Sequence, residues 1–156
     1  INYSSRVSKI PFIVFSDLIS IVSPIGLFFG RIANFINGEL FGRVTNHYFG
    51  MIFPNGGKLP RHPSQLYEAF FEGLVLLSIM IFLFNRSNFF EKRGFLTASF
   101  LFFYGIFRFF IEYFREPDGH IGLIYFNLSM GQILSLPMIV SGLYFMTVFY
   151  NKKMDN

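Results

Sequence analysis

Arg31 and Asn34 stand three residues apart, so a helix carries them on one face, and Asn37, Glu39 and Arg43 follow close behind. A second constellation holds Arg108, Glu112 and Arg115 at spacings that allow an Arg–Glu–Arg ladder along one helix face. Guanidinium groups present a rigid fork of donors that suits a phosphodiester better than the point charge of lysine. Both clusters end apolar runs, and an ionisable side chain at membrane depth costs about 2.5–3.5 kcal/mol on insertion scales. Two such clusters in one greasy chain point to a buried site for a charged lipid headgroup. Taken singly, Arg31 is as well read as an arginine snorkelling to the interface, and a structural ion-pair network is the lesser alternative for the Arg108 group. The grouping of Asn34, Asn37, Glu39 and Arg43 around Arg31 is what favours a site. Gly38 and Gly42 allow a tight turn and a close approach of backbone to a ligand.

A third group, Arg61-His62-Pro63-Ser64-Gln65-Leu66-Tyr67-Glu68, leads into another apolar run. Ser64 has the chemistry of an N-cap, with Tyr67 at N3. His62 titrates near neutral pH, but a single histidine before a proline reads first as a hydrogen-bonded loop residue. Glu72 is either a site residue or a partner for one of the arginines. No HExxH helix, phosphate-cradling glycine loop or GxSxG elbow occurs, and neither metal nor cofactor is expected. The chain has no cysteine, which excludes a cysteine nucleophile, a thiolate metal site and an internal disulfide. Any thiol chemistry must use a thiol of the substrate.

The elements that hold these residues follow from composition. Of 156 residues 53% are hydrophobic and only 14% charged, against about 25% in soluble domains, and mean hydropathy is +0.48. The class is a polytopic membrane protein. The net charge of +4 sits at segment ends rather than in a stripe, so it speaks of membrane topology and not of nucleic acid. Apolar stretches at 11–33, 66–84, 95–114 and 128–150 are long enough, or nearly so, to cross a core of about 30 Å, which takes roughly 20 helical residues. The expected fold is all-α: a single membrane domain over 1–156, a helical bundle of about four transmembrane helices with a short outer excursion between the first two. Asp17 and Ser23 interrupt the first stretch, and Pro24 and Pro137 imply kinks.

Arg6 with Lys9, Arg86 with Lys92 and Arg93, and Lys152 with Lys153 fall on one side of an even-spanned chain. The positive-inside rule makes that side cytoplasmic, both ends of the chain included. Segments 34–65 and 115–127 then face outward, with both arginine clusters at the outer boundary. The stretch from Val44 to Lys58 is turn-rich, with a hairpin expected around Asn55-Gly56.

With these residues in hand, the chain resembles the bacterial prolipoprotein diacylglyceryl transferase family. The resemblance rests on GRIANFINGELFGR from Gly30, RHPSQLYEAFFEG from Arg61, FRFFIEYFREPD from Phe107 and NLSMGQILS from Asn127. Their order is the family's, and Ala33 stands where glycine is usual. The resemblance implies transfer of a diacylglyceryl group from phosphatidylglycerol to the lipobox cysteine thiol of a prolipoprotein. A thioether forms and glycerol phosphate leaves, at the periplasmic side of the bacterial cytoplasmic (inner) membrane. It further implies that Arg31 binds and orients the headgroup, and that Arg108 stabilises charge on the departing phosphate or lowers the thiol's pKa. Asn34 and Glu39 would bond headgroup hydroxyls or hold Arg31, Glu112 would hold Arg108, and Gly42 would let backbone approach the site.

The implied partners are phosphatidylglycerol, a prolipoprotein signal peptide and membrane lipid. Family members have about seven spans and a histidine–glycine–glycine segment that no residue here matches. Because the chain opens at Ile1, it is expected to be a carboxy-terminal part lacking the first spans, and inactive alone. Two rival readings stand beside the enzyme: a non-enzymatic lipid-binding or transport module, and a non-functional gene remnant.

Overall fold

The computed structural model describes residues 11–87, 92–116 and 128–151. Four helices account for most of them: α1 at Phe12–Ile36, α2 at Ser64–Arg86, α3 at Phe95–Ile111 and α4 at Met130–Asn151. The fold is all-α, a membrane-type bundle. α1, α2 and α4 are each long and apolar enough to cross a membrane, and α3 is a shorter apolar helix. Pro24 and Pro137 both lie inside continuous helices. Several hydroxyls within the helices turn back onto their own backbone and so add no unsatisfied donor. Ser23 donates to the Ile19 carbonyl at 2.8 Å, Ser99 to Phe95 at 2.8 Å and Ser135 to Gly131 at 2.7 Å.

α2 is not uniform. Its middle, Ala69–Val75, is a π-helix set between α-helical Ser64–Glu68 and Leu76–Arg86. α1 packs closely there: a Cβ added to Gly73 would meet Phe28 Cβ at 2.7 Å. α3 and α4 approach through small residues. A Cβ on Gly142 would meet the Phe102 backbone nitrogen at 2.6 Å, and one on Gly105 would meet Ile139 at 2.9 Å. Lipid offers no hydrophobic drive between helices, so this close backbone contact does the holding.

α1 also caps α3. The fully buried Asp17 carboxylate accepts from the Gly94 amide at 2.6 Å, the Thr97 amide at 2.8 Å and the Thr97 hydroxyl at 2.7 Å. The polar interruption of the first apolar stretch thus fills the donors that a helix start leaves open. Ser129 caps α4 reciprocally with Gln132: the Gln132 amide donates to Ser129 Oγ at 3.3 Å and the Ser129 amide to Gln132 Oε1 at 3.1 Å.

Two expectations are corrected. α3 ends at Ile111, short of 114, because the following turn delivers the Phe114 carbonyl to the Arg43 amide at 2.9 Å and pairs Arg115 with Gly42. Ser64 is the first helical residue and not a cap; its hydroxyl donates to the Leu40 carbonyl at 3.1 Å. The turn expected around Asn55-Gly56 is present, held by isolated bridges and not by strands among the described residues. Reciprocal Met51–Arg61 bonds of 2.9 and 2.8 Å close its base, and a turn lies at Pro54-Asn55. Arg6, Lys9, Pro117, Asp118, Asn127, Lys152 and Lys153 lie outside the described residues.

Candidate active site

α1 delivers Arg31 near its carboxy-terminal end and stops one turn later in a Schellman motif. The Gly38 amide donates to Phe35 at 3.1 Å and the Glu39 amide to Asn34 at 3.0 Å, with Gly38 at φ 66°. The sequence Asn37-Gly38 permits that left-handed residue, and the turn fixes where Arg31 ends up. α3 brings Arg108 from its last turn, and Glu112 follows just past the helix.

Both guanidiniums converge on two glutamates of α2. Arg31 Nη1 lies 2.9 Å from Glu68 Oε2, and its Nη2 donates to Glu72 Oε2 at 3.1 Å. Arg108 Nη1 lies 3.2 Å from Glu68 Oε1 and 3.8 Å from Glu72 Oε1, while its Nη2 lies 2.9 Å from Glu112 Oε2. Arg115 Nη1 reaches Glu68 Oε1 at 3.7 Å. Glu68 and Glu72 are fully buried, and the side chains of Arg31 and Arg108 are each 15% exposed. Three helices therefore meet in one desolvated ion cluster.

The two carboxylates belong to neighbouring turns of α2, and the π-helical stretch that begins at Ala69 carries Glu72. Wide turns of this kind occur preferentially at functional sites, where they re-aim a side chain. Glu112 is itself held, since Ser129 Oγ donates to its Oε1 at 3.0 Å. Gly131 is required beside it, as an added Cβ would come within 2.6 Å of the carboxylate carbon. Arg108 thus leans on α4 through Glu112.

The remaining expected residues fall one layer out. Asn34 is half-buried one turn beyond Arg31, and its carbonyl closes the Schellman turn. Glu39 is exposed, and Arg31 pairs with Glu68 and Glu72 instead; the Glu39 carbonyl takes the Gln65 amide at 2.6 Å. Gly42 is buried, but its backbone presses against protein. An added Cβ would collide with the Phe114 carbonyl and sit 2.8 Å from the His62 carbonyl. Arg43 ties the same crossing, donating from Nε to the Arg115 carbonyl at 2.9 Å.

Arg61 braces the excursion, donating to Gly56 at 2.8 Å and to Glu116 at 2.6 Å with its guanidinium over the Phe41 ring. His62 Nδ1 lies 3.3 Å from the Tyr67 hydroxyl. Burial, with a smaller contribution from His47, holds its pKa below the ordinary histidine value. That is a loop histidine.

The ladder read along α3 is also rebuilt, because Arg115 lies past the helix end and turns to Glu68. Glu68 is the residue that sequence reading missed. It bridges the two expected arginines, and the available signal was Glu68 and Glu72 four apart at the head of an apolar run. An apolar cavity of about 590 Å³ lies between α2 and α3, lined by Tyr67, Phe71, Phe107, Phe110 and Phe114 among others, and a smaller one of about 300 Å³ between α3 and α4 is lined by Arg108 and Glu112. No group of three or more histidine, cysteine or acidic side chains that could hold a metal occurs among the described residues.

The family model described as prolipoprotein diacylglyceryl transferase matches residues 1–148. Curated relatives carry the name phosphatidylglycerol–prolipoprotein diacylglyceryl transferase. Those of Rickettsia conorii and Rickettsia rickettsii are each 59% identical over 139 residues, covering 89% of this chain and 54% of the relative. That of Rickettsia bellii is 57% identical over 136 residues, covering 87% and 52%. The chain spans about half the length of the curated relatives it matches.

Proposed function

Because this chain belongs to the prolipoprotein diacylglyceryl transferase family, we propose that it supplies the phosphatidylglycerol-binding half of that reaction. One observation carries the proposal: Arg31 and Arg108, from separate helices, share the same two buried carboxylates and so stand around one point. A lipid phosphodiester at that point receives hydrogen bonds from both forks. In the reaction the lipobox thiol loses its proton and its sulfur bonds to the glyceryl carbon. The carbon–oxygen bond to phosphate breaks, and glycerol phosphate leaves with the electron pair.

Negative charge grows on the phosphate as that bond breaks. Fixed guanidiniums in a dry pocket stabilise it without reorganising at the moment of reaction. Arg31 orients the headgroup, Arg108 meets the departing charge, and Glu112 with Ser129 keeps Arg108 aimed. Asn34 lies one turn away, where it bonds the headgroup's hydroxyls. The aromatic cavity takes an acyl chain. The positive-inside rule applied to the basic groups of the sequence favours both ends of the chain in the cytoplasm and the site at the periplasmic side of the inner membrane.

The test is complementation of a transferase-depleted bacterium by this chain, alone and with the remainder of a relative co-expressed. Lipidation of a prolipoprotein is read by gel shift. Where the unmodified chain complements, Arg31→Ala and Arg108→Ala each lower transfer by at least about 100-fold, the scale of losing one fixed donor at a developing anion. Wild-type-like transfer by either variant overturns the role given to that arginine.

A further inference from the structure

Within the cluster, three guanidiniums, of Arg31, Arg108 and Arg115, face three carboxylates, of Glu68, Glu72 and Glu112, so its formal charges cancel. A phosphodiester adds a negative charge that nothing in this set neutralises. At a few ångströms and low dielectric, repulsion from resident carboxylates opposes that entry strongly. One carboxylate must therefore give way for the headgroup to bind.

Glu68 is the one placed to do so. Its carboxylate reaches all three guanidiniums, at 2.9, 3.2 and 3.7 Å, which is the position a bound phosphate needs. Its Oε1 accepts from Arg108 Nη1 at 3.2 Å, while its Oε2, like Glu72 Oε1 and Glu112 Oε2, takes no directed hydrogen bond. Glu68 ends the five-residue first stretch of α2, where α geometry changes to π geometry. Glu112, by contrast, is fastened by Ser129 and walled by Gly131.

We propose that Glu68 is the site's resident counter-ion, which holds the three guanidiniums together when the site is empty and is displaced by the phosphodiester. The proposal rests on the headgroup-binding role given above. It makes Glu68 a positioning residue that sets the affinity for the anionic lipid. Its removal as a charge should help binding, where removal of an ordinary scaffold residue should harm it.

The chain is reconstituted in phosphatidylcholine nanodiscs and titrated with short-chain phosphatidylglycerol by calorimetry. Glu68→Gln keeps the shape and removes the competing charge, and should bind about tenfold tighter, equivalent to about 1.4 kcal/mol. A second readout needs no variant. A carbodiimide that labels membrane carboxylates should modify Glu68 of the wild-type chain more when phosphatidylglycerol is bound, as read by mass spectrometry.

Equal or weaker binding by Glu68→Gln with helical circular dichroism intact, or Glu68 labelling that stays level or falls, overturns the proposal. If Arg31→Ala then still abolishes binding, the headgroup reading survives that failure. If the wild-type chain shows no preference for phosphatidylglycerol over phosphatidylcholine, the headgroup reading itself falls, and the counter-ion role falls with it.

Discussion

At Arg108 one guanidinium lies within 3.8 Å of Glu68, Glu72 and Glu112, so its truncation strands three buried carboxylates near one another. Removing one partner of a buried ion pair costs about 3–5 kcal/mol, mostly through the charge left behind. Arg108→Ala should therefore lower stability to denaturation in detergent by that amount, and Arg108→Lys by less. A loss below about 1 kcal/mol, the worth of a surface pair, would mean that water reaches the cluster. Arg31, Arg108 and Glu112 were legible in the sequence because charged residues in apolar runs have few innocent explanations. Glu68 was not, since the residues before it read as an ordinary helix start and periodicity says nothing about which carboxylate a distant guanidinium chooses. Glu39 and Gly42 were given their site roles through the family resemblance, as members of the motif around Arg31. Folding uses the backbone of both to seat the loop: the Glu39 carbonyl on Gln65, and Gly42 against His62 and Phe114.

Among the elements, α3 bears the most constraint, because Asp17 caps its start, α4 covers its flank and its last turn carries Arg108. Gly142→Val forces a side chain toward the Phe102 backbone, where nothing flexible can yield, and overpacking of this kind costs about 1–3 kcal/mol. Thermal unfolding in detergent should show that loss, whereas Gly26→Ala, with nothing within 4 Å of the added carbon, should leave the protein unchanged or slightly firmer. Equal effects at the two glycines would contradict the close α3–α4 contact. The helices themselves were legible from apolar run length, to within two or three residues at most ends. The π-helical middle of α2 was not, since AFFEGLV has no composition that separates π from α; α1 packs closely against it at Gly73. Asp17 looked like a flaw in a span and is a cap in trans, a role visible only once α1 and α3 are side by side.

Across the whole molecule the bundle works as a clamp. α1, α2 and α3 each commit a charged side chain to one buried cluster, and α4 steadies it from behind through Ser129 and Gly131. The outer crossing of Gly42, Arg43 and Arg115 ties the end of α1 to the end of α3, so the two arginine-bearing helices are joined beside the site. The family model's match, residues 1–148, spans the whole ion cluster of this chain. The central claim is that Arg31 and Arg108 act together on a single phosphate, and a double-mutant cycle on phosphatidylglycerol binding in nanodiscs tests it most directly. With wild type, Arg31→Ala, Arg108→Ala and the double variant, the account predicts a coupling of at least about 1 kcal/mol, each single change removing most of what the double removes. Effects that add to within about 0.5 kcal/mol would contradict it, for they would place the two guanidiniums on separate ligands.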